Sequence, residues 1–286
     1  MKKLVFAAAV VAAAFGLKAE LASANVVGYT TKTIPAGKYM MVAVQFDTTE
    51  DAEMNADQAF TLNKAGKAWA SADAPECIPG WYTTAPCLKI PKGTVDKGYT
   101  DLYYAEDACD ESDNYALKPG WADRYGMLVK TPALRSGYGV WFVAGSEDLT
   151  VTIAGQVKAA DSATISAGAG YNLVKLPYPV ALNADDAKIN WNLSAMAGQA
   201  WESADAPECI PNWFANAPCI KIPKGTVDKG YTDLYYAKDA CDESDNYALK
   251  PGWADRYGML VKNVTIPEGM GFWFVAPATV SSTIAK

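Results

Sequence analysis

The sequence predicts a mainly β protein made of two tandem β-sandwich or barrel-like modules, each with at most one short helix. Three observations predict this class: a long internal repeat, short runs of β-branched and aromatic residues, and turn-forming Pro and Gly between those runs. The repeat spans sixty residues, because 71–130 and 203–262 differ at only six positions. In the second copy these positions are Asn212, Phe214, Ala215, Asn216, Ile220 and Lys238. A period of this length indicates two folded modules rather than a solenoid of short repeats.

The first residues have the pattern of a secretory signal peptide. Lys2 and Lys3 precede an apolar run, 4–16, that is too short to span a bilayer, and the small residues 22–24 form a cleavage signal. We therefore expect the mature chain to begin at Asn25 and the protein to be secreted or held at the cell surface, the periplasm included. No later segment is apolar for long enough to cross a membrane, so no transmembrane segment is predicted in the mature chain.

Looser similarity outside the sixty-residue block sets the module boundaries. The paired segments are 33–37 with 164–168, 39–42 with 171–174, 55–57 with 183–185, and 137–144 with 269–276. They predict a signal peptide at 1–24, an N-terminal strand plus the first module at 25–158, and the second module at 159–286. The ranges 25–158 and 159–286 are called module one and module two below.

Strands are predicted where β-branched and aromatic residues form runs of strand length. In chain order these runs are 39–46, 101–104, 127–130, 140–144, 150–153 and 173–176. Turn signals containing Pro or Gly separate them, at 90–93, 118–120 and 136–139. Where two large residues are adjacent, as in Tyr103-Tyr104 and Trp141-Phe142, one of each pair is expected to face inward.

One short helix per module is predicted in the segment before each repeat block. The segments are 56–69 and 183–196, and Asn55 and Asn183 are the expected N-caps.

The edges of the modules resemble a loosely defined module of exported and surface bacterial proteins. Residues 170–177, GYNLVKLP, match its opening Gly-aromatic-Asn-Leu-Val-x-x-Pro strand, and 269–273, GMGFW, match its closing Gly-x-Gly-aromatic-Trp strand. The mature start, 25–29, is also similar to that of uncharacterised exported bacterial proteins. Module one departs from the pattern, with Met40-Met41 in place of Asn-Leu and Gln45 in place of Pro. The resemblance does not cover the Cys-containing middle, and it implies an exported β-rich building block with no assigned activity.

Charge and composition narrow the classes of function. The formal net charge is −7, and removal of the signal peptide takes away three lysines and one glutamate, which leaves −9. An acidic chain repels phosphate backbones, so we expect no nucleic-acid partner. The chain has no histidine, which excludes Ser-His-Asp and Cys-His catalysis and every His-ligated metal site. Glycoside hydrolysis by two carboxylates is the enzyme class that remains, although no pair of acids stands out.

Each module carries three cysteines, in a compartment where disulfides can form. We predict bridges Cys77–Cys87 and Cys209–Cys219, because each pair brackets a short Pro-containing loop. Cys109 and Cys241 would then pair with each other, link two chains or remain thiols. The alternative is that all six cysteines are reduced core residues.

An acidic run in each module offers oxygen ligands for calcium, although it lacks the spacing and central Gly of an EF-hand. The candidate ligands are Asp107, Asp110, Asp113, Asp239, Asp242 and Asp245. A solvated acidic turn, offset by Lys118 and Arg124, is the competing interpretation, and no cofactor is predicted.

Aromatic residues next to turns are candidates for a sugar-stacking platform, because flat rings cover the apolar face of a pyranose. The candidate residues are Trp81, Tyr82, Trp121, Trp213, Phe214 and Trp253. Trp81 and Trp121 lie beside Gly and are expected to be exposed.

These observations favour an exported, non-catalytic structural or binding protein of the cell surface or extracellular matrix, with envelope or matrix proteins or glycans as partners. A carbohydrate-binding protein with two equivalent aromatic sites is the first alternative. A carboxylate-based glycoside hydrolase is the second alternative.

Overall fold

The structure is a computed structural model that describes residues 27–47, 54–71, 76–134, 137–203 and 208–286. The predicted signal peptide lies outside these residues. Antiparallel strands dominate both modules, which confirms the predicted fold class. Within the described ranges, no helix has the length and apolar character needed to cross a membrane.

The described residues of module one form nine strands and one short α-helix. The strands are β1 Val27–Ile34, β2 Tyr39–Val42, β3 Phe46–Asp47, β4 Phe60–Leu62, β5 Cys87–Pro91, β6 Tyr99–Asp110, β7 Ala116–Ala122, β8 Val140–Val143 and β9 Leu149–Val157, with helix α1 at Ala56–Ala59. A five-stranded antiparallel sheet has the order β2-β8-β5-β6-β7. The second sheet has the order β1-β9-β3, and β4 also pairs with β9.

Module two repeats this plan, with ten strands among its described residues. They are β10 Ser162–Ala167, β11 Gly170–Lys175, β12 Leu182–Asn183, β13 Ile189–Asn190, β14 Cys219–Pro223, β15 Tyr231–Asp242, β16 Ala248–Ala254, β17 Thr265–Ile266, β18 Gly271–Ala276 and β19 Val280–Ala285. Its five-stranded sheet has the order β11-β18-β14-β15-β16. The order β10-β19-β13 forms its second sheet, and β12 pairs with β17.

Each five-stranded sheet has a hydrophobic cluster on either face. In module one the larger core contains Phe60, Trp121 and Phe142, while a smaller satellite core consists of Trp81 and five alanines. The expected alternation is confirmed, because Phe142 is fully buried and its neighbour Trp141 is half-buried. Likewise, Tyr104 packs on the larger core and Tyr103 on the satellite core.

The helix predictions are wrong for most of their length. Asn55 is an N-cap whose side chain accepts the Gln58 N–H, but α1 has only four residues and ends as Phe60 enters β4. The predicted helix at 183–196 is instead two short strands and a 3-10 turn. Its sequence cannot stay helical because Ile189 pairs with β19 and Trp191 inserts between the rings of module two's core.

Two other predictions from the sequence, a strand at 127–130 and a turn at Trp121, are wrong. Residues 127–130 form isolated bridges at Met127 and Leu128 rather than a strand. Trp121 lies inside β7 rather than in a turn. Pro119 is tolerated in β7 because this strand is at the end of its sheet, where a missing N–H breaks fewer ladder bonds.

An approximate twofold axis relates the two modules. Val42 pairs with Met270, and Val174 pairs with Tyr138. These are the same contact made twice, since 42 and 174, and 138 and 270, are equivalent positions of the repeat. Met270 also joins the larger core of module one.

Glycine makes this close approach of the two backbones feasible. A Cβ on Gly139 would lie 3.3 Å from the Cα of Gly271, its equivalent in the other module, and 3.2 Å from the carbonyl oxygen of Val174. The second Gly of the Gly-x-Gly pattern is therefore a contact point between modules.

Buried polar side chains also cross the module interface. Gln45 is fully buried, its amide donates to the carbonyl oxygens of Leu176 (3.2 Å) and Tyr178 (2.5 Å), and its oxygen accepts the Gly269 N–H (2.7 Å). The ammonium of Lys175, also buried, donates to the Val44 carbonyl oxygen (2.5 Å). Each group satisfies partners in the opposite module, which couples the two modules.

We predict that Gln45→Leu lowers the free energy of unfolding by about 1–3 kcal/mol, because the buried Gly269 N–H loses its acceptor. Equilibrium denaturation in urea measures this change. Gln199→Leu is the matched control, since Gln199 is exposed, and it should change the value by less than about 0.5 kcal/mol. Equal effects from the two variants would contradict the assignment.

Candidate functional site

The four tryptophans of the predicted aromatic platform are buried, so the exposure expected of Trp81 and Trp121 is wrong. Their side chains, like those of Trp213 and Trp253, have at most 7 % of their surface exposed. Trp121 and Trp253 belong to the larger cores, and Trp81 and Trp213 to the satellite cores. None of the four therefore offers an open ring face to a sugar.

The equivalent indoles of Trp121 and Trp253 differ in their hydrogen bonds, because the segments that flank the repeat block differ between the modules. Trp253 and Trp191 both donate to the Ala184 carbonyl oxygen, at 3.0 and 2.7 Å. In module one the equivalent carbonyl, that of Ala56, accepts the N–H that ends α1. Within the described residues the buried Trp121 N–H consequently has no hydrogen-bond partner.

Trp253 and Trp191 line a cavity of about 330 Å³ in module two. Its polar lining includes Asp185, Asp186 and Lys262. Asp185 accepts the Asn263 N–H (3.2 and 3.3 Å), and Asp186 accepts the Lys188 N–H (2.9 Å). These carboxylates hold turns at the rim of the cavity.

One partly exposed aromatic cluster of module one consists of Tyr82, Tyr103, Arg124 and Tyr125, and we call it patch one. The rings of Tyr82 and Tyr103 have centroids 5.3 Å apart and are both half-buried. Arg124 is exposed, lies 4.8 Å above the Tyr125 ring and donates to its hydroxyl oxygen (2.6 Å). The hydrogen bond to the Tyr125 hydroxyl is the largest cause that raises the pKa of the Arg124 guanidinium. Trp81 links the two parts of the patch, because its ring contacts that of Tyr103 (centroids 5.9 Å apart) and its indole N–H donates to the Arg124 carbonyl oxygen.

Module two carries the equivalent cluster, patch two: Phe214, Tyr235, Arg256 and Tyr257. The Phe214 and Tyr235 rings have centroids 5.1 Å apart, and Arg256 lies 5.2 Å above the Tyr257 ring. Tyr125 and Tyr257 are 58 % and 61 % exposed, so their rings are accessible to solvent, unlike those of the four buried tryptophans. Tyr82 and Phe214 are thus the only members of the predicted platform in these two patches.

The turn that presents Arg124 and Tyr125 is held from two directions. One Asp123 carboxylate oxygen accepts the N–H of both Tyr125 (2.8 Å) and Met127 (3.0 Å). From beneath, the Trp81 indole donates to the Arg124 carbonyl oxygen (3.2 Å), and the Trp69 indole to that of Gly126 (3.1 Å). Module two repeats these contacts with Asp255, Trp213 and Trp201.

Glycine is needed at position 126, because its φ is +79° and a Cβ would lie 2.8 Å from the Trp69 indole nitrogen. The sequence analysis did not place Arg124 or Tyr125 among the candidate binding residues, although the run Asp-Arg-Tyr-Gly at 123–126 signals a turn. A turn tip is where large side chains become exposed.

The acidic run forms an ion-pair network in each module. Asp110 is buried, lies 3.0 Å from the Lys118 ammonium and 3.1 Å from that of Lys130, and accepts the Ser112 N–H and hydroxyl. The hydrogen bond from Lys118 is the largest cause that holds the pKa of Asp110 well below its usual range. In module two Asp242 pairs with Lys250 (3.0 Å) and Lys262 (2.8 Å), and its pKa is likewise lowered, chiefly by Lys262.

The predicted calcium ligands are not brought together. The Asp107 carboxylate accepts the N–H groups of Ala68 and Trp69, and Asp113 pairs with Lys118 (2.6 Å). Asp239 and Asp245 do the same in module two, with the N–H groups of Ala200 and Trp201 and with Lys250. Among the residues that the structure describes, no three carboxylate or thiol groups form a cluster suited to a metal ion. These contacts fit the acidic-turn interpretation for Lys118, whereas the charge offset expected of Arg124 is wrong, because this side chain binds the Tyr125 hydroxyl and pairs with no described carboxylate.

The predicted disulfides are absent, because all six cysteines, each within the described ranges, are free thiols. Cys87 is the first residue of the central strand β5, where it pairs with Tyr103 of β6 and Val143 of β8. Cys77 instead packs on the satellite core, and its backbone forms an isolated β-bridge with that of Trp69. Burial is the main cause that raises the pKa of every one of these thiols, to about 12 for Cys87 and Cys219. Protonated, buried thiols are poor nucleophiles.

No protein-family model, curated protein or solved structure matches this chain.

We predict that Asp110→Asn lowers the midpoint of thermal unfolding at pH 7, because two lysines lose their carboxylate. The folded pKa of Asp110 lies below the unfolded value of about 3.9, so its contribution is complete above that pH and is lost as the pH falls further. The difference from wild type should therefore shrink below about pH 4 in calorimetry. Glu111→Gln, at the exposed neighbour, serves as control; a pH-independent difference for Asp110→Asn would contradict the ion-pair role.

We predict that iodoacetamide added to the unfolded, unreduced protein labels all six cysteines, as measured by intact mass. In the native protein at pH 7.5 Cys77 and Cys209 should react before the other four thiols, which are buried, but more slowly than in the unfolded chain because their pKa values are raised. Labelling of two residues or fewer in the unfolded, unreduced protein would indicate that the disulfides do form.

Proposed function

We propose that this chain is an exported, non-catalytic structural or binding protein of the cell surface or extracellular matrix, built from a duplicated module. One observation carries the proposal: the approximate twofold axis fixes two copies of one exposed surface in a single relative orientation. Two equivalent surfaces on one chain serve a component that contacts its partners twice, because the second contact becomes intramolecular.

The carboxylates support a non-catalytic role over glycoside hydrolysis. A glycosidase needs one acid and one base or nucleophile facing each other across a cleft. Asp107 and Asp110 instead bind backbone N–H groups and lysines. The Asp185-Asp186 pair at the cavity has a single acidic counterpart in module one, where Asp57 is followed by Gln58.

Carbohydrate binding is the second candidate function. It is favoured by the exposed tyrosine rings of patch one and patch two, which stand beside guanidinium donors.

We predict that the full-length protein, expressed in a bacterial host with an export pathway, is recovered outside the cytoplasm with Asn25 as its N-terminus. N-terminal sequencing of the periplasmic, cell-surface and medium fractions makes the measurement. The variant Leu4→Arg/Val5→Arg interrupts the apolar run and should leave uncleaved protein in the cytoplasm. An uncleaved wild-type chain found only in the cytoplasm would contradict export.

A further inference from the structure

We propose that patch one and patch two each bind a segment of one neutral polysaccharide, with tyrosine rings against the apolar faces of pyranose units and the arginine donating to their hydroxyls. This inference rests on the binding role proposed above. The binding residues are then not the buried tryptophans but Tyr82, Tyr103, Arg124 and Tyr125, together with their equivalents in module two.

The rings of each patch have the character of a stacking surface. Tyr125 is well exposed, while Tyr82 and Tyr103 show part of their surface and keep the rest packed on the satellite core. Trp81 supports Tyr103 from beneath, with ring centroids 5.9 Å apart. An aromatic ring held in this way loses little conformational freedom when a sugar covers it.

The arginines have donors to spare. Across the described residues no carboxylate lies within ion-pair distance of Arg124 or Arg256, although nine different lysines make such pairs. Each guanidinium has five N–H donors, and the one to the Tyr125 hydroxyl accounts for a single hydrogen bond. The remaining donors face solvent beside the rings, where sugar hydroxyl oxygens would accept them.

The turn is already organised for binding. Asp123 and the indoles of Trp69 and Trp81 fix its backbone at four points, so the Arg124 and Tyr125 side chains start from a defined position. Binding then costs the ordering of side-chain rotamers and not of the loop.

The charge of the chain selects a neutral ligand. With a formal charge of −9 after signal-peptide removal, the protein repels a polyanion at long range. A polysaccharide also repeats its own structure, so it offers the same epitope to both patches, and two linked contacts raise the apparent affinity for the polymer.

The test is affinity electrophoresis of the mature chain in native gels that contain amylose, laminarin, β-mannan or hydroxyethyl cellulose. We expect at least one of these neutral polymers to retard the wild type, equally at 50 and 500 mM NaCl. The double variant Tyr125→Ala/Tyr257→Ala should bind the polymer with an apparent affinity at least tenfold lower than that of wild type. Each single variant should also bind the polymer more weakly, but its remaining patch should bind a tetrasaccharide of the same sugar with unchanged affinity. Arg124→Lys/Arg256→Lys should lose affinity as well, since Lys lacks the planar set of donors.

Two controls keep the outcome clear. Tyr29→Ala removes an exposed tyrosine of β1 outside both patches and should bind as wild type does. Far-ultraviolet circular dichroism and the melting temperature should be unchanged in every variant, because the altered side chains are exposed.

Three results would overturn the inference: no retardation by any of the four neutral polymers, wild-type retardation of Tyr125→Ala/Tyr257→Ala, or equal loss of retardation in Tyr29→Ala. None of them bears on the export proposal, which fails only if the N-terminus remains uncleaved in the cytoplasm.

Discussion

The contact between Gly139 and Gly271 is the constraint on which the arrangement of the whole chain depends. Because neither residue has a side chain, the backbones of the two modules approach closely enough for Val42 to pair with Met270 and for Tyr138 to pair with Val174. That approach removes water from Gln45 and Lys175, so both side chains must find partners in the opposite module, and the carbonyl and N–H groups around them supply those partners. Trp141 and Trp273 then meet across the axis, with ring centroids 5.9 Å apart. Two glycines, a buried amide and a buried ammonium together turn a tandem repeat into one paired structure.

The two modules are alike where the repeat block supplies the residues and unlike where the flanking segments do. The block forms three adjacent strands of each five-stranded sheet, most of the satellite core and the turns that carry Arg124 and Arg256, and these match in hydrogen bonds. The flanking segments cover the larger cores differently. Module one places a short helix over Trp121, whose N–H finds no acceptor among the described residues, whereas module two places a turn over Trp253 and satisfies both nearby indoles with the Ala184 carbonyl. The pairing of the modules is also uneven, since Lys38 binds Asp228 but its counterpart in module two is Gly170. The twofold symmetry is therefore a property of the backbone contacts more than of the side chains around them.

The strands of the sheets could be predicted from the sequence because alternation is a local signal. In Tyr103-Tyr104 and Trp141-Phe142 the adjacent side chains face opposite sides of the sheet, as the alternation predicts. Asn55 is the N-cap of a helix, as predicted, although that helix is shorter than expected. The failures involve tertiary contacts: Trp191 draws 183–196 into the core in place of a helix, and an edge position lets Pro119 lie within β7. The site was predicted less well, because neighbouring Gly was taken to mean exposure for Trp81 and Trp121. Burial of a large ring is decided by the sheet it packs on, and that sheet is formed by residues far along the chain. The disulfide prediction failed for a similar reason, since closeness in sequence says little about which cluster Cys77 and Cys87 each join.

Four tryptophans fix the backbone of the turns that carry Arg124 and Arg256. Trp69 and Trp81 direct their indole N–H groups at the carbonyl oxygens of Gly126 and Arg124, which are the two ends of one short turn. The same pair of bonds recurs from Trp201 and Trp213 to Gly258 and Arg256. A buried indole is a rigid donor with no competing water, so it fixes a carbonyl more firmly than a flexible side chain would. The large apolar rings pack the satellite core, their polar edges set the turn, and the turn carries the tyrosine and arginine into solvent. Of the tryptophans that the sequence suggested as a stacking surface, Trp81 and Trp213 thus support these turns from beneath.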